Sequence, residues 1–159
     1  MNTNNNTVQN QSSPLGGTKR GASYFKLSEL TRSTTAEACG IDNTPSAGAV
    51  PLMVELIDKV LDPLRERWGV PIYVTSGYRC PELNARVGGS KTSYHLRGMA
   101  ADITSRCPFH NAALFTEIRI MHQQGLLPLT ECYMQKQGLY IHVAYDPSNI
   151  NSQPFINKL

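Results

Sequence analysis

The sequence predicts an α+β fold, a small and largely antiparallel sheet with helices packed on it. Three observations carry that expectation. A long amphipathic run, residues 51–70, precedes a β-branched strand; a second occupies residues 110–125; and two strand-like segments near the end flank the short connection "KQG". At 159 residues the chain fits one domain with a core of its own. An apolar content of 40% and a charged content of 17% belong to an ordinary globular protein. The net charge of +3 is too small to argue for nucleic acid, and no apolar run is long enough to span a membrane. We therefore expect no nucleic-acid partner and no membrane span, with a monomer as the default.

Residues 1–22 are mostly Asn, Thr, Gln, Ser and Gly with almost nothing to bury, and read as a disordered polar tail. The domain is assigned to residues 23–159. "YFKLSELTRSTTAEACGIDNTP" suggests a short extended entry, a Ser or Thr cap and brief helical turns ending at Gly40. In "PLMVELIDKVLDPLRERWGV", Leu52, Leu56, Val60, Leu64 and Trp68 lie on the four-residue rows of one helix face, with Met53, Ile57 and Leu61 beside them. Glu55 and Lys59 have the spacing of a solvent-side ion pair, Pro63 predicts a kink, and Gly69 a stop.

"PIYVTS" (71–76) is strand-like, and "GYRCPELN" reads as a turn away from it. "MAADIT" (99–104) reads as a second, buried strand. "HNAALFTEIRIMHQQG" predicts a helix with Leu114, Phe115, Ile118 and Met121 inward and Gly125 as its end. "LTECYMQ" and "LYIHVAY" complete the sheet as a hairpin. Cys39, Cys80, Cys107 and Cys132 form no C-x-x-C pair; reduced thiols are the plain reading, and one disulfide stays open. His110 and His122 are assigned to the helix or its start.

The stretch "SKTSYHLRGMAADIT" (90–104) sets His95 and Asp102 seven positions apart. Solvated surface, a buried polar pair and two ligands of one metal are the alternatives. For a shared ion the donor atoms must approach to about 3–4 Å. Seven residues of strand would separate them by roughly 23 Å, and seven of helix by roughly 10 Å. The chain must fold back between them, and Gly98 is the residue that takes a positive φ cheaply. A third ligand has to come from a rigid element elsewhere. His142 is the candidate, sharing a strand face with Tyr140 and Ala144. Two His and one carboxylate with an open position suit catalytic zinc, while spacing alone leaves His142 open as an ordinary strand histidine.

"VTSGYRCPELNARVGGSKTSYHLRGMAADI" resembles the M15 family of zinc D-alanyl-D-alanine carboxypeptidases, in particular its compact branch of bacteria and bacteriophages. The SGYR turn is Ser76 to Arg79, the S-x-H-x-x-G-x-A-x-D core is Ser93 to Asp102, and the late hydrophobic-His-Val strand is Ile141 to Val143. The resemblance implies one zinc ion held by His95, Asp102 and His142, and hydrolysis of peptides in bacterial peptidoglycan. It implies that Arg79 binds a substrate carboxylate or steadies an oxyanion. Ser93 then bonds substrate or orders the loop. Tyr140, on the face of His142, is a candidate oxyanion donor or a packing residue. The N-terminus has no basic stretch followed by an apolar one, so the expectation is synthesis in the cytoplasm and action on the wall after release, or as a phage-associated protein.

The chain departs from the resemblance at the general base. Where the compact branch has a stretch like F-D-Q-L-I-x-E, residues 129–135 read "LTECYMQ". Gln135 stands at the Glu position and cannot take a proton at neutral pH, while Glu131 stands at the Gln position. Either Glu131 has taken over as base, although four strand residues put it roughly 13 Å from position 135, or the domain binds zinc and wall with little or no turnover. A non-haem iron oxygenase also uses two His and one carboxylate, but gives the SGYR turn no role.

Overall fold

The computed structural model describes residues 23–155, so the polar stretch 1–22 and the last residues, 156–159, lie outside the described residues. Two short helices open the domain, α1 (Leu27–Thr31) and α2 (Thr34–Cys39). Ser33 caps α2 by accepting the Ala36 N–H, and Gly40 ends it in the left-handed conformation. The long helix α3 follows in three continuous segments, Ala49–Leu56, Ile57–Leu61 and Asp62–Trp68. The middle segment is a π turn, in which the Asp62 N–H reaches back five residues to the Ile57 carbonyl.

Pro63 explains the π turn. Its ring has no N–H and collides with the carbonyl four residues back, so a widened turn ahead of it relieves the clash while the helix runs on. The expected kink is thus absorbed as a register change. No ion pair joins Glu55 and Lys59 among the described residues. The π turn begins between them, so four residues no longer make one α turn. Glu55 lies instead near Tyr145, whose hydroxyl is held protonated first by burial and then by that carboxylate.

Four strands, β1 (Ile72–Ser76), β2 (Ala100–Ser105), β3 (Glu131–Gln135) and β4 (Tyr140–Ala144), form one antiparallel sheet in the order β1-β2-β4-β3. Between β1 and β2 the segment read as a turn contains a short helix, α4 (Pro81–Arg86), capped by Cys80 and begun by Pro81. Helix α5 (Asn111–Gln123) joins β2 to β3 and packs on β2 and β4. The fold is therefore a single small α+β domain.

The sheet has two unlike faces. Ala101, Ile103, Cys132, Ile141 and Val143 face the core with Leu56, Leu61 and Leu64 of α3 and Leu114 and Ile118 of α5. The opposite face carries a row across three strands, because Asp102 pairs with His142 and His142 with Tyr133. Residues directly opposite in antiparallel strands share a face. All four cysteines are free thiols, and the buried Cys132 is kept protonated by desolvation. No described helix is long and apolar enough to cross a membrane.

Candidate metal centre

Ser93 accepts the His95 N–H and so starts a short 3-10 turn, Tyr94–Arg97, that ends at Gly98 with φ +75°. A Cβ at Gly98 would press on the Met53 side chain and the Ala49 carbonyl, so this reversal demands glycine on two counts. The turn aims His95 at β2. Its Nδ1–H donates to the Gly77 carbonyl at 2.7 Å, which fixes the ring and turns Nε2 toward Asp102. Nε2 stands 3.3 Å from Asp102 Oδ1.

The other side of the same oxygen is occupied by His142, whose Nδ1 lies 2.9 Å from Asp102 Oδ1. All three side chains are buried, and one ligand atom from each lies within 4.8 Å of the others. Ligand atoms at about 2 Å from a common tetrahedral ion stand about 3.3 Å apart, and the 2.9 and 3.3 Å separations at Asp102 Oδ1 are of that size. The electrostatics agree. Burial alone would raise the Asp102 pKa, but the bonds from His142 and His95 outweigh it and hold the carboxyl below its usual range. Burial pushes His142 down against the pull of Asp102, so its imidazole is neutral and able to coordinate at pH 7.

The second Asp102 oxygen belongs to Arg79. Nη2 donates to Oδ2 at 2.8 Å and Nε to Ser76 Oγ at 2.9 Å. The guanidinium is thus a support for the carboxylate, and what it offers a substrate must come from its remaining donors. Its backbone is pinned as well. The Arg79 N–H reaches the His95 carbonyl, while Asn43 accepts the Cys80 N–H and donates to the Tyr78 carbonyl.

These residues floor a cavity of about 760 Å³. Arg79, Ser93, His95, Asp102, Glu131, Tyr140 and His142, all singled out from sequence, line it, and so does Gln135. Glu131 and Asp102 are its only carboxylates among the described residues. Glu131 Oε2 lies 3.8 Å from His142 Nε2, too far for a hydrogen bond but close enough for attraction. Tyr140 keeps its proton, through burial first and then the nearby Asp102 charge. His110 and His122 do not line the cavity; the His122 ring nitrogens face the Leu127 and Ser152 carbonyls.

Two contributors escaped the sequence reading. Tyr133 stacks on His142 with ring centroids 4.5 Å apart and planes at 17°. The hairpin register could have found it, since Tyr133 faces His142 across the ladder. Asn43 lies in an irregular loop with no periodicity to mark it.

Two buried imidazoles and a carboxylate that converge over one sheet face, open to a cavity with a second carboxylate, define the class of a single-metal hydrolase centre. A family model described as Peptidase M15 matches residues 23–144, and the chain belongs to that family of zinc-dependent peptidases. Among curated proteins, none matches this chain.

Proposed function

We propose that the protein is a zinc metallopeptidase that hydrolyses peptide bonds in the stem peptides of bacterial peptidoglycan, as a D-Ala-D-Ala carboxypeptidase or a murein endopeptidase. The convergence of His95, Asp102 and His142 at the floor of a cavity carries this reading. When bound there, zinc would polarise the scissile carbonyl and make water a nucleophile near neutral pH. The chain's own residues do the rest. Glu131, half-exposed beside His142, takes the proton from the attacking water and returns it to the leaving amine. Tyr140, protonated at the cavity wall, donates to the oxygen on which charge develops. Arg79 holds Asp102 by one oxygen so that the other stays with the imidazoles. The wall is reached after release from the cytoplasm or with a phage particle.

The test is a mass-spectrometric digest of defined muropeptides by the zinc-loaded protein, with His95→Ala as control. New amine termini from the wild type alone support the reading. Unchanged peptides from a protein that binds zinc stoichiometrically would count against it.

A second reading, a catalytically weak or silent zinc-containing wall-binding module, is favoured by Gln135, a neutral amide on the cavity wall. Two substitutions separate the readings. If Glu131 is the base, Glu131→Gln lowers kcat by roughly 10²- to 10⁴-fold with zinc content unchanged. If the domain is silent, Glu131→Gln changes nothing and Gln135→Glu creates hydrolysis.

A further inference from the structure

The cavity is lined by two guanidinium residues, and they are in opposite states. Arg79 is committed to Asp102 and Ser76. Arg32 is exposed, and among the described residues its side chain has no ion pair, hydrogen bond or aromatic partner. On the cavity side the wall around it is neutral and rich in hydroxyls, with Ser33, Thr34 and Thr35 beside it and Ser90 and Thr92 also lining the cavity. On its other side Arg32 borders a second cleft that Glu37 and Asp42 also line, and it forms an ion pair with neither.

An exposed arginine at a rim is common, but the backbone of this one is held to the centre. The Tyr78 N–H donates to the Leu30 carbonyl, and the Gly77 backbone approaches Leu30 so closely that no Cβ fits between them. Asn43 then donates to the Thr31 carbonyl at 2.9 Å and to the Tyr78 carbonyl at 3.0 Å. The Arg32 peptide is therefore fastened, through one amide side chain, to the turn that carries Arg79. The Arg32 N–H is itself closed onto the Ser28 carbonyl. A fixed backbone with an uncommitted guanidinium suits a recognition residue, because only the side chain is left to order on binding.

Resting on the peptidase reading, we infer that Arg32 is a specificity residue that binds a carboxylate of the peptide away from the bond to be cut. Guanidinium matches carboxylate in bidentate geometry, and no other described cation lining the cavity is uncommitted. The hydroxyls on the cavity side neither repel the anion nor compete for the cation. Two carboxylates of a stem peptide have this chemistry, the C-terminal one and the α-carboxylate of a γ-linked D-Glu.

The experiment measures binding of three synthetic pentapeptides, L-Ala-γ-D-Glu-L-Lys-D-Ala-D-Ala with both acids free, with the C-terminus amidated, and with the D-Glu α-carboxylate amidated. They are titrated by calorimetry into the zinc-loaded full chain and into Arg32→Ala and Arg32→Lys. The wild type is expected to bind the doubly free peptide roughly tenfold more tightly than one amidated form, and that form identifies the carboxylate. Arg32→Ala should erase the difference and Arg32→Lys restore part of it. A preference that survives intact in Arg32→Ala, or a wild type indifferent to both amidations, overturns the inference. Binding does not require turnover, so an Arg32-dependent preference without cleavage would uphold Arg32 as the reader while defeating the peptidase reading.

Discussion

Asp102 is where the charges of the centre are divided, one oxygen to the imidazoles and one to Arg79. Arg79→Ala would leave Oδ2 without its donor and free the carboxylate to rotate. We expect zinc affinity or activity to fall about 10- to 100-fold, the usual cost of losing a partner that orients a ligand. Arg79→Lys should not rescue it, since a point charge cannot bridge Ser76 and Asp102 as the planar fork does. Zinc calorimetry on the three proteins checks this. Asp146 is a different kind of acid, outside the lining of the cavity. Its pKa is lowered chiefly by the Ser148 hydroxyl, against burial, with the Ser148 N–H and Arg97 helping. A depressed folded pKa contributes stability that is whole above the ordinary value of 3.8 and is lost as pH falls through the lower folded value. The melting-temperature gap between wild type and Asp146→Asn should therefore hold from pH 7 to about 5 and close below about 4. A gap independent of pH would show that the carboxylate charge is not what stabilises this corner.

Segments that supply no ligand hold those that do, and α1 closes tightly on the loop after β1, whose Gly77 carbonyl holds His95. A Cβ at Gly77 would meet the Leu30 backbone, which cannot swing aside as a side chain does. Gly77→Ala should cost about 1–3 kcal/mol in thermal or denaturant unfolding, as other overpacking does. It should also weaken zinc binding beyond that loss, because Gly77 gives His95 its carbonyl acceptor. Wild-type zinc affinity in a destabilised variant would show that the two are uncoupled. Such cross-element contacts set the limit of what the sequence discloses. β4 was legible because alternation alone puts Tyr140 and His142 on one face, and the reversal at Gly98 followed from the distance His95 and Asp102 must close. Helix α4 was not, since "PELNAR" has too few apolar positions to show a period. The π turn was hidden too, because the apolar rows of α3 continue through it. The commitment of Arg79 to Asp102 depends on a turn geometry that no spacing encodes.

Over the whole molecule, one sheet serves both core and centre. The face opposite Asp102, His142 and Tyr133 is packed against α3 and α5, so folding the core also assembles the ligands. The charged ligand is satisfied without a metal ion, through Arg79, His95 and His142, and one hydrophobic cluster joins the helices to the sheet. The metal-free protein should therefore be folded, unlike small domains whose structure depends on zinc. Zinc still binds only the assembled triad, so it must raise stability by mass action. Free zinc at one hundred times its Kd adds about 2.7 kcal/mol. For a domain of this size that is a rise in Tm on the order of 10 °C. Differential scanning calorimetry with a chelator and then with graded zinc should show a cooperative transition at both extremes, moving upward with zinc. Asp102→Asn, which keeps the size of the side chain but loses its charge, should unfold at a temperature indifferent to zinc. A chelated protein without a cooperative transition would mean that the protein partners of Asp102 do not suffice to hold the ligand face together, and a zinc-dependent shift that persists in Asp102→Asn would place the cation somewhere other than between these three side chains.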